Sequence, residues 1–170
     1  MQNIISLSPH FELREFTESA TARAHGIRNE PSPEHVENLR ALCENTLEPL
    51  REALQLPVVI TSGFRTKALN SIIAHKAKRS QHMQGCAADF YVGHTDGTDD
   101  TESSRERLIR AFRLILQDPK IEYDQLILYP NFIHVSHVSR EANRHGILIG
   151  RRDGKLGYGR ITLNNALKIS

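Results

Sequence analysis

The most informative stretch of the chain is Ser80-Gln81-His82-Met83-Gln84-Gly85-Cys86-Ala87-Ala88-Asp89, which is followed later by Phe132-Ile133-His134-Val135-Ser136. His82, Asp89 and His134 offer two imidazoles and one carboxylate, the ligand set of a catalytic zinc that keeps one position open for water. Gly85 can let the backbone fold back so that His82 and Asp89 reach one ion, and His134 would join them from a separate strand. If the three residues do bind one ion, the protein is a hydrolase; the same residue types also fit an ordinary loop histidine, a turn aspartate and a strand histidine.

The hydrophobic pattern around this stretch predicts helices first and antiparallel strands later. Ser32-Pro33-Glu34 is a helix start, and its apolar stripe continues to Leu54, with Pro49 expected to kink or divide the helix. Further helices are predicted at 66–73 and 102–117, strands at 57–60, 86–92, 125–129 and 132–138, and loops at 74–81 and 93–100. A C-terminal hairpin is predicted over about 146–162, around Asp153-Gly154. This order predicts a single α+β domain over 1–170, with helices packed on a small antiparallel sheet.

The composition describes an ordinary globular protein. Its 170 residues fit one domain, and 39% hydrophobic and 25% charged residues are typical values. The net charge of +2 is too small to argue for nucleic-acid binding, although it is compatible with docking on an anionic polymer such as a bacterial cell wall. We expect synthesis in the cytoplasm, because the chain starts without a secretory signal pattern and contains no apolar window of membrane-span length. Cys43 and Cys86 do not make a disulfide framework.

The motif Ser-x-His-x-x-Gly-x-Ala-x-Asp, with the later hydrophobic-x-His-x-Ser strand, resembles the zinc D-alanyl-D-alanine carboxypeptidase family (peptidase family M15), which includes phage endolysins. The resemblance covers about residues 9–140 and includes these further segments: Phe11-x-Leu-x-Glu-Phe16, the helix Leu39 to Leu54, Val59-Ile60-Thr61-Ser62-Gly63-Phe64-Arg65 and Asp124-Gln125-Leu126-Ile127. It implies the α+β fold of that family, described as hedgehog-like, and a bound Zn²⁺. It also implies that the substrate is a peptidoglycan stem peptide. Because such a peptide would lie in a cleft of one small domain, we expect a monomer.

The resemblance also assigns roles to individual residues. It implies that His82, Asp89 and His134 hold the metal, while Arg65 points into the cleft and binds the substrate. A guanidinium suits both stem-peptide carboxylates and a tetrahedral oxyanion. Ser80 and Ser136 are expected to hydrogen-bond around the ligands, although plain turn and strand roles also fit them.

Three further residues near the motif leave alternatives open. Cys86 follows His82 by four residues and is an alternative ligand, but it falls at a variable position of the family pattern. Strand alternation puts His137 on the opposite face from His134, so it is expected at the surface or beside the site. Related enzymes supply an acid a few residues before the last histidine, whereas this chain has Asn131 there. Asp124 is then the nearest candidate for the general base, or a structural residue.

Two functions follow from this pattern. The first is a zinc metallopeptidase that either trims a terminal D-alanine or cuts within the stem, as L-alanyl-D-glutamate endolysins do. The second is a catalytically weak or silent zinc-containing module that binds cell wall or forms part of a phage particle. The missing acid favours the second function, whereas a three-ligand site favours the first, because structural zinc is usually held by four protein ligands.

Overall fold

The computed structural model describes residues 4–73, 79–93, 102–150 and 158–169. Its helices are α1 (Leu13–Thr17), α2 (Ala20–Ala24), α3 (Pro33–Leu42), α4 (Glu48–Leu54), α5 (Lys67–Ile72), α6 (Ser104–Gln117) and α7 (Leu163–Ala166), with a π-helical segment at Cys43–Leu47 and a 3-10 turn at Gln81–Gln84. Its strands are β1 (Ser6–Ser8), β2 (Phe11–Glu12), β3 (Val58–Ser62), β4 (Ala87–Val92), β5 (Gln125–Leu128), β6 (Ile133–Ser136), β7 (Gly146–Gly150) and β8 (Tyr158–Arg160). No described helix is long and apolar enough to cross a membrane.

The predicted α+β class is confirmed, and the main sheet has six strands in the order β3-β4-β6-β5-β7-β8. The sheet is mixed rather than purely antiparallel, because β7 runs parallel to β5. β6 ends opposite the first residue of β5, and the chain then crosses to the other side of β5 and enters β7 in the same direction as β5. The predicted pairings of β5 with β6 and of β7 with β8 are both antiparallel, as expected. The predicted Asp153-Gly154 turn and most of the two predicted loops lie outside the described residues.

The predicted division of the N-terminal helix at Pro49 is confirmed as a π-helical segment between α3 and α4. Pro49 has no N–H with which to continue the helical ladder. The carbonyl of Asn45, four residues earlier, instead accepts a hydrogen bond from the backbone N–H of Glu122 at 2.9 Å. The Thr46 hydroxyl donates to the carbonyl oxygen of Glu122. The irregular turn therefore anchors the segment that leads into β5.

One hydrophobic core joins the helices to the sheet. The predicted core residues Phe11 and Phe16 are buried, and Leu13 packs against them partly exposed. α6 lies against the sheet with its predicted apolar stripe, of which Leu108, Ala111, Phe112 and Ile115 are buried. On β4 and β6 the core side chains include Phe90 and Val135, and the alternate residues of these strands point to the opposite face. That opposite face carries the candidate site.

Candidate metal centre

The register of two neighbouring strands places Asp89 and His134 side by side. Asp89 on β4 lies directly opposite His134 on β6, so both side chains leave the sheet on the same face. His82 comes from the 3-10 turn that precedes β4. That turn ends at Gly85 with a φ of +71°, and a Cβ there would lie 2.5 Å from the carbonyl oxygen of His35. Both the left-handed backbone and this close approach require glycine at position 85. The backbone bend that the sequence predicted at Gly85 is therefore present.

The three side chains converge on one point. His82 Nε2 lies 3.3 Å from His134 Nδ1 and 3.3 Å from Asp89 Oδ1, and His134 Nδ1 lies 2.7 Å from Asp89 Oδ1. A tetrahedral ion with bonds of about 2.0–2.1 Å requires ligand atoms about 3.3–3.4 Å apart. Two of the three distances in this triangle have about that length. The third, between His134 Nδ1 and Asp89 Oδ1, is shorter because these two groups are hydrogen-bonded. Two imidazoles and one carboxylate are also the donor types that Zn²⁺ accepts. The arrangement therefore fits a zinc ion.

Hydrogen bonding and burial set the protonation of these groups. His82 Nδ1 lies 2.7 Å from the carbonyl oxygen of Gly63 and donates to it, which leaves the lone pair of Nε2 directed into the triangle. Burial lowers the pKa of His82, which keeps the ring neutral, although Asp89 opposes the shift. Burial alone would raise the pKa of Asp89, but the adjacent His82 and His134 hold it well below its usual range. A neutral imidazole and an ionised carboxylate are the forms that bind metal.

Arg65 lies against the second oxygen of Asp89. Its Nη2 donates to Asp89 Oδ2 at 3.1 Å, and its Nε and Nη2 donate to the Ser62 hydroxyl at 3.1 and 2.8 Å. The backbone N–H of Arg65 also donates to the carbonyl oxygen of His82. Burial lowers the pKa of Arg65 while Asp89 raises it. The side chain is 14% exposed, and Nη1 has no hydrogen-bond partner among the described residues. The guanidinium thus orients Asp89 through Nη2.

Asp124, predicted as a base or a structural residue, is 1% exposed at the start of β5. Its Oδ1 accepts the backbone N–H of Arg144 at 2.8 Å and the Nε–H of Arg144 at 2.9 Å, and its Oδ2 accepts the side-chain amide of Gln81 at 2.9 Å. Burial would raise the pKa of Asp124, but the Arg144 bonds lower it to about 2. The carboxylate is therefore ionised and fully bonded at neutral pH. A catalytic role for Asp124 stays a prediction.

The two predicted supporting serines have different surroundings. Ser136 is buried two residues after His134, and its hydroxyl accepts the backbone N–H of Gln125 at 3.1 Å and donates to Asp124 Oδ2 at 3.4 Å. Ser80 precedes the 3-10 turn without capping it through its side chain, and its carbonyl oxygen accepts the N–H of Met83. Ser136 thus joins the Asp124 cluster, whereas Ser80 contributes its backbone.

The alternative residues lie apart from the triangle. Among the described residues, the candidate metal group consists of His82, Asp89 and His134, and Cys86 is not a member. Burial raises the pKa of the Cys86 thiol, which disfavours the thiolate that binds metal. His137 is buried and its Nε2 lies 3.1 Å from Glu122 Oε2. Asn131 is exposed in the turn between β5 and β6.

Sequence reasoning did not assign roles to several residues that support this site. Ser62 and Gly63 belong to the quoted Val59–Arg65 segment, which is their only signal in the sequence. Gln81 and Arg144 support the site through their hydrogen bonds to Asp124, and no local sequence pattern links residues that are so far apart in the chain.

The fold and the site together define an α+β domain with a His-Asp-His group suited to one metal ion on its sheet. The family model described as Peptidase M15 matches residues 9–136, and the chain belongs to this family. The match confirms the predicted family and nearly the whole predicted range. No curated protein is similar enough to match the chain significantly. Membership in this family indicates a peptidase that acts on a peptide substrate.

Proposed function

We propose that this peptidase is a zinc-dependent enzyme that hydrolyses peptidoglycan stem peptides, as a D,D-carboxypeptidase or an L-Ala-D-Glu endopeptidase. The observation that carries the proposal is the triangle of His82, Asp89 and His134, whose 3.3 Å sides match the edge of a tetrahedral zinc site. Zinc bound there would supply a Lewis acid and a water of lowered pKa.

The residues of the chain then have separate tasks. The Gly63 carbonyl fixes the tautomer of His82, so that Nε2 faces the metal position. Arg65 holds Asp89 through Nη2 and offers Nη1 to a stem-peptide carboxylate or to the oxyanion of the tetrahedral intermediate. Such a contact strengthens as negative charge develops, so it would contribute mainly to turnover.

Hydrolysis also needs a base that accepts the proton of the attacking water. Asp124 is the sequence candidate, but its oxygens already accept bonds from Arg144 and Gln81, and a pKa of about 2 makes it a weak base. We propose that Asp124 instead positions the turn that carries His82, through Gln81. Asn131 could orient a water but could not accept its proton.

The second candidate function is a zinc-containing binding module without turnover. It is favoured because no further carboxylate joins Asp89 in the metal group of the described residues. The three-ligand set opposes it, since structural zinc sites are usually closed by four protein ligands.

The deciding experiment incubates defined stem peptides with the zinc-loaded protein, with a chelated sample and with a His82→Ala variant, and analyses the products by mass spectrometry. We expect a new fragment only with the zinc-loaded wild type, and its mass identifies the bond. Intact peptides in a sample that carries one zinc per chain would reject the peptidase and support the binding module.

A further inference from the structure

β3 lies at one edge of the main sheet, and in the part of the chain that the structure describes it pairs with β4 alone. Gly93 donates its N–H to the carbonyl oxygen of Pro57 at 3.0 Å, so these two residues form a hydrogen-bonded pair of the ladder. Such pairs alternate along an antiparallel ladder. In the observed register the backbone N–H and C=O of Val59 therefore face Tyr91 of β4, whereas the backbone N–H and C=O of Ile60 point away from β4. Among the described residues, the main chain of Ile60 has no hydrogen-bond partner on that side.

An open groove of about 360 Å³ lies along this edge. Val59, Ile60 and Thr61 form one wall, and the opposite wall comes from α1, α2 and the residues between them, with Glu15, Glu18 and Arg23. Thr61 is exposed, and Ile60 is partly exposed. The unpaired backbone of Ile60 is thus accessible from a groove with polar walls.

The groove is connected to the metal centre through β3. Thr61 donates its hydroxyl to the backbone carbonyl of Asp89 at 3.1 Å. The next residue, Ser62, lies opposite Asp89 in the ladder and binds the Arg65 guanidinium. Neighbouring strands are about 4.8 Å apart, so a segment paired with Ile60 would run about 10 Å from β4, a distance that about three extended residues span. A substrate with its scissile bond at the metal would therefore reach Ile60 only with residues beyond that bond.

The charge of the groove indicates what such a segment carries. Glu15 is committed to the start of α1, because its carboxylate accepts the N–H of Glu12 at 2.7 Å. Glu18 is exposed, and among the described residues its carboxylate has no hydrogen-bond or ion-pair partner. The two acids outnumber Arg23, so the groove attracts a cationic side chain.

We propose that this groove is an extended subsite for the substrate. The main chain of a peptide segment two or three residues from the scissile bond pairs with Ile60, and an ammonium side chain on that segment faces Glu18. Pairing of a peptide with an open sheet edge supplies affinity, and side-chain contacts supply specificity. The inference rests on the proposed function, and it adds a preference for peptides with a diamino acid.

The test compares a stem pentapeptide with lysine at its third position with the same peptide containing norleucine, which lacks the charge. The wild type, Glu18→Gln and the control Glu52→Gln are assayed, because Glu52 is an exposed acid on α4 that does not line the groove. We expect the lysine peptide to have a kcat/KM about threefold to fivefold higher in the wild type and in Glu52→Gln, mainly through KM. In Glu18→Gln the preference for the lysine peptide over the norleucine peptide should disappear.

The main-chain contact is tested separately by N-methylation of the peptide at each residue in turn. Methylation at one position near lysine should reduce kcat/KM by about fivefold to tenfold in the wild type and in Glu18→Gln alike. Two results would reject the subsite and leave the peptidase proposal intact: cleavage with the same lysine preference in Glu18→Gln and the wild type, or cleavage without any methylation-sensitive position near lysine.

If no peptide is cleaved, the peptidase proposal fails. The dissociation constants of the same peptides, measured by fluorescence anisotropy, then decide whether the subsite exists. A lysine preference that depends on Glu18 would support it, and equal affinities would overturn it.

Discussion

Replacement of Asp124 by asparagine tests whether this residue holds the sheet together. Asp124 immediately precedes β5, and Arg144 lies just before β7, at the end of the crossover that makes these strands parallel. The carbonyl oxygen of Asp124 also accepts the N–H of Gly146 at 2.9 Å. The carboxylate therefore links the end of the crossover to the residue that leads into β5, and through Gln81 it also holds the turn that precedes Asp89.

The structure supplies the size of the effect. The fall in the pKa of Asp124 from 3.8 to about 2 corresponds to about 2.5 kcal/mol of stability at neutral pH. The side chain of Arg144 is 64% exposed, and solvent screening reduces its share of this value to about 1–2 kcal/mol. Asparagine also turns an amide N–H₂ toward the donors Arg144 and Gln81. We therefore expect Asp124→Asn to reduce the free energy of unfolding by about 2–3 kcal/mol at pH 7.

The pH dependence has a definite sign. The folded-state pKa of Asp124 is depressed, so its stabilisation is complete above the unfolded value of 3.8 and is lost as pH falls toward about 2. Urea unfolding followed by circular dichroism, at pH 7, 4 and 2.5, should show the difference between wild type and variant shrinking in that order. Effects of acid that both proteins share, including loss of metal, cancel in this difference.

Asp118→Asn is the matched control. Among the described residues, the Asp118 side chain accepts just the local N–H of Lys120 at 2.9 Å, and asparagine keeps an oxygen for this bond. We expect it to cost less than about 0.5 kcal/mol at any of these pH values. An Asp124→Asn effect below about 0.5 kcal/mol at pH 7, or one that is as large at pH 2.5, would refute the reasoning.

Three further predictions concern the metal centre. His82→Ala should lose its bound zinc in a metal analysis of the purified protein, because it removes one of three donors, and a full equivalent of zinc would reject this ligand set. Arg65→Ala should keep one zinc per chain and reduce kcat by about 10²-fold, since Nη1 is proposed to meet charge that develops during the reaction; equal turnover would remove Arg65 from the mechanism. Gly85→Ala should be more destabilising than Gly26→Ala by at least about 2 kcal/mol in urea unfolding, because both sites have positive φ but only Gly85 has a backbone oxygen 2.5 Å from the added Cβ. Equal costs for the two glycine variants would show that the close approach at Gly85 is relieved.

Local chemistry made much of this fold predictable. Ser32 and Pro33 mark the start of α3, and Pro49 marks its interruption, because capping and the missing N–H act within one or two helical turns. His82, Gly85 and Asp89 could be grouped from the sequence for a similar reason, since they lie within one short turn and the strand that follows it. His134 could be named as a candidate from its residue type, but its assignment as the third ligand rested on the family resemblance, because no local pattern shows which strand will lie beside β4.

Only the tertiary structure decided the contacts between distant segments. The parallel entry of β7, the bond between Asp124 and Arg144, and the open edge at Ile60 all depend on strand order and register. The partners of the two Asp89 oxygens depend on them as well: one oxygen faces His82 and His134, and the other faces Arg65. The sequence by itself determined which residues cap, turn and offer metal ligands, because those properties belong to neighbouring atoms of the chain. Strand order and register depend on how the whole hydrophobic core packs, and for that reason they appear only in the folded protein.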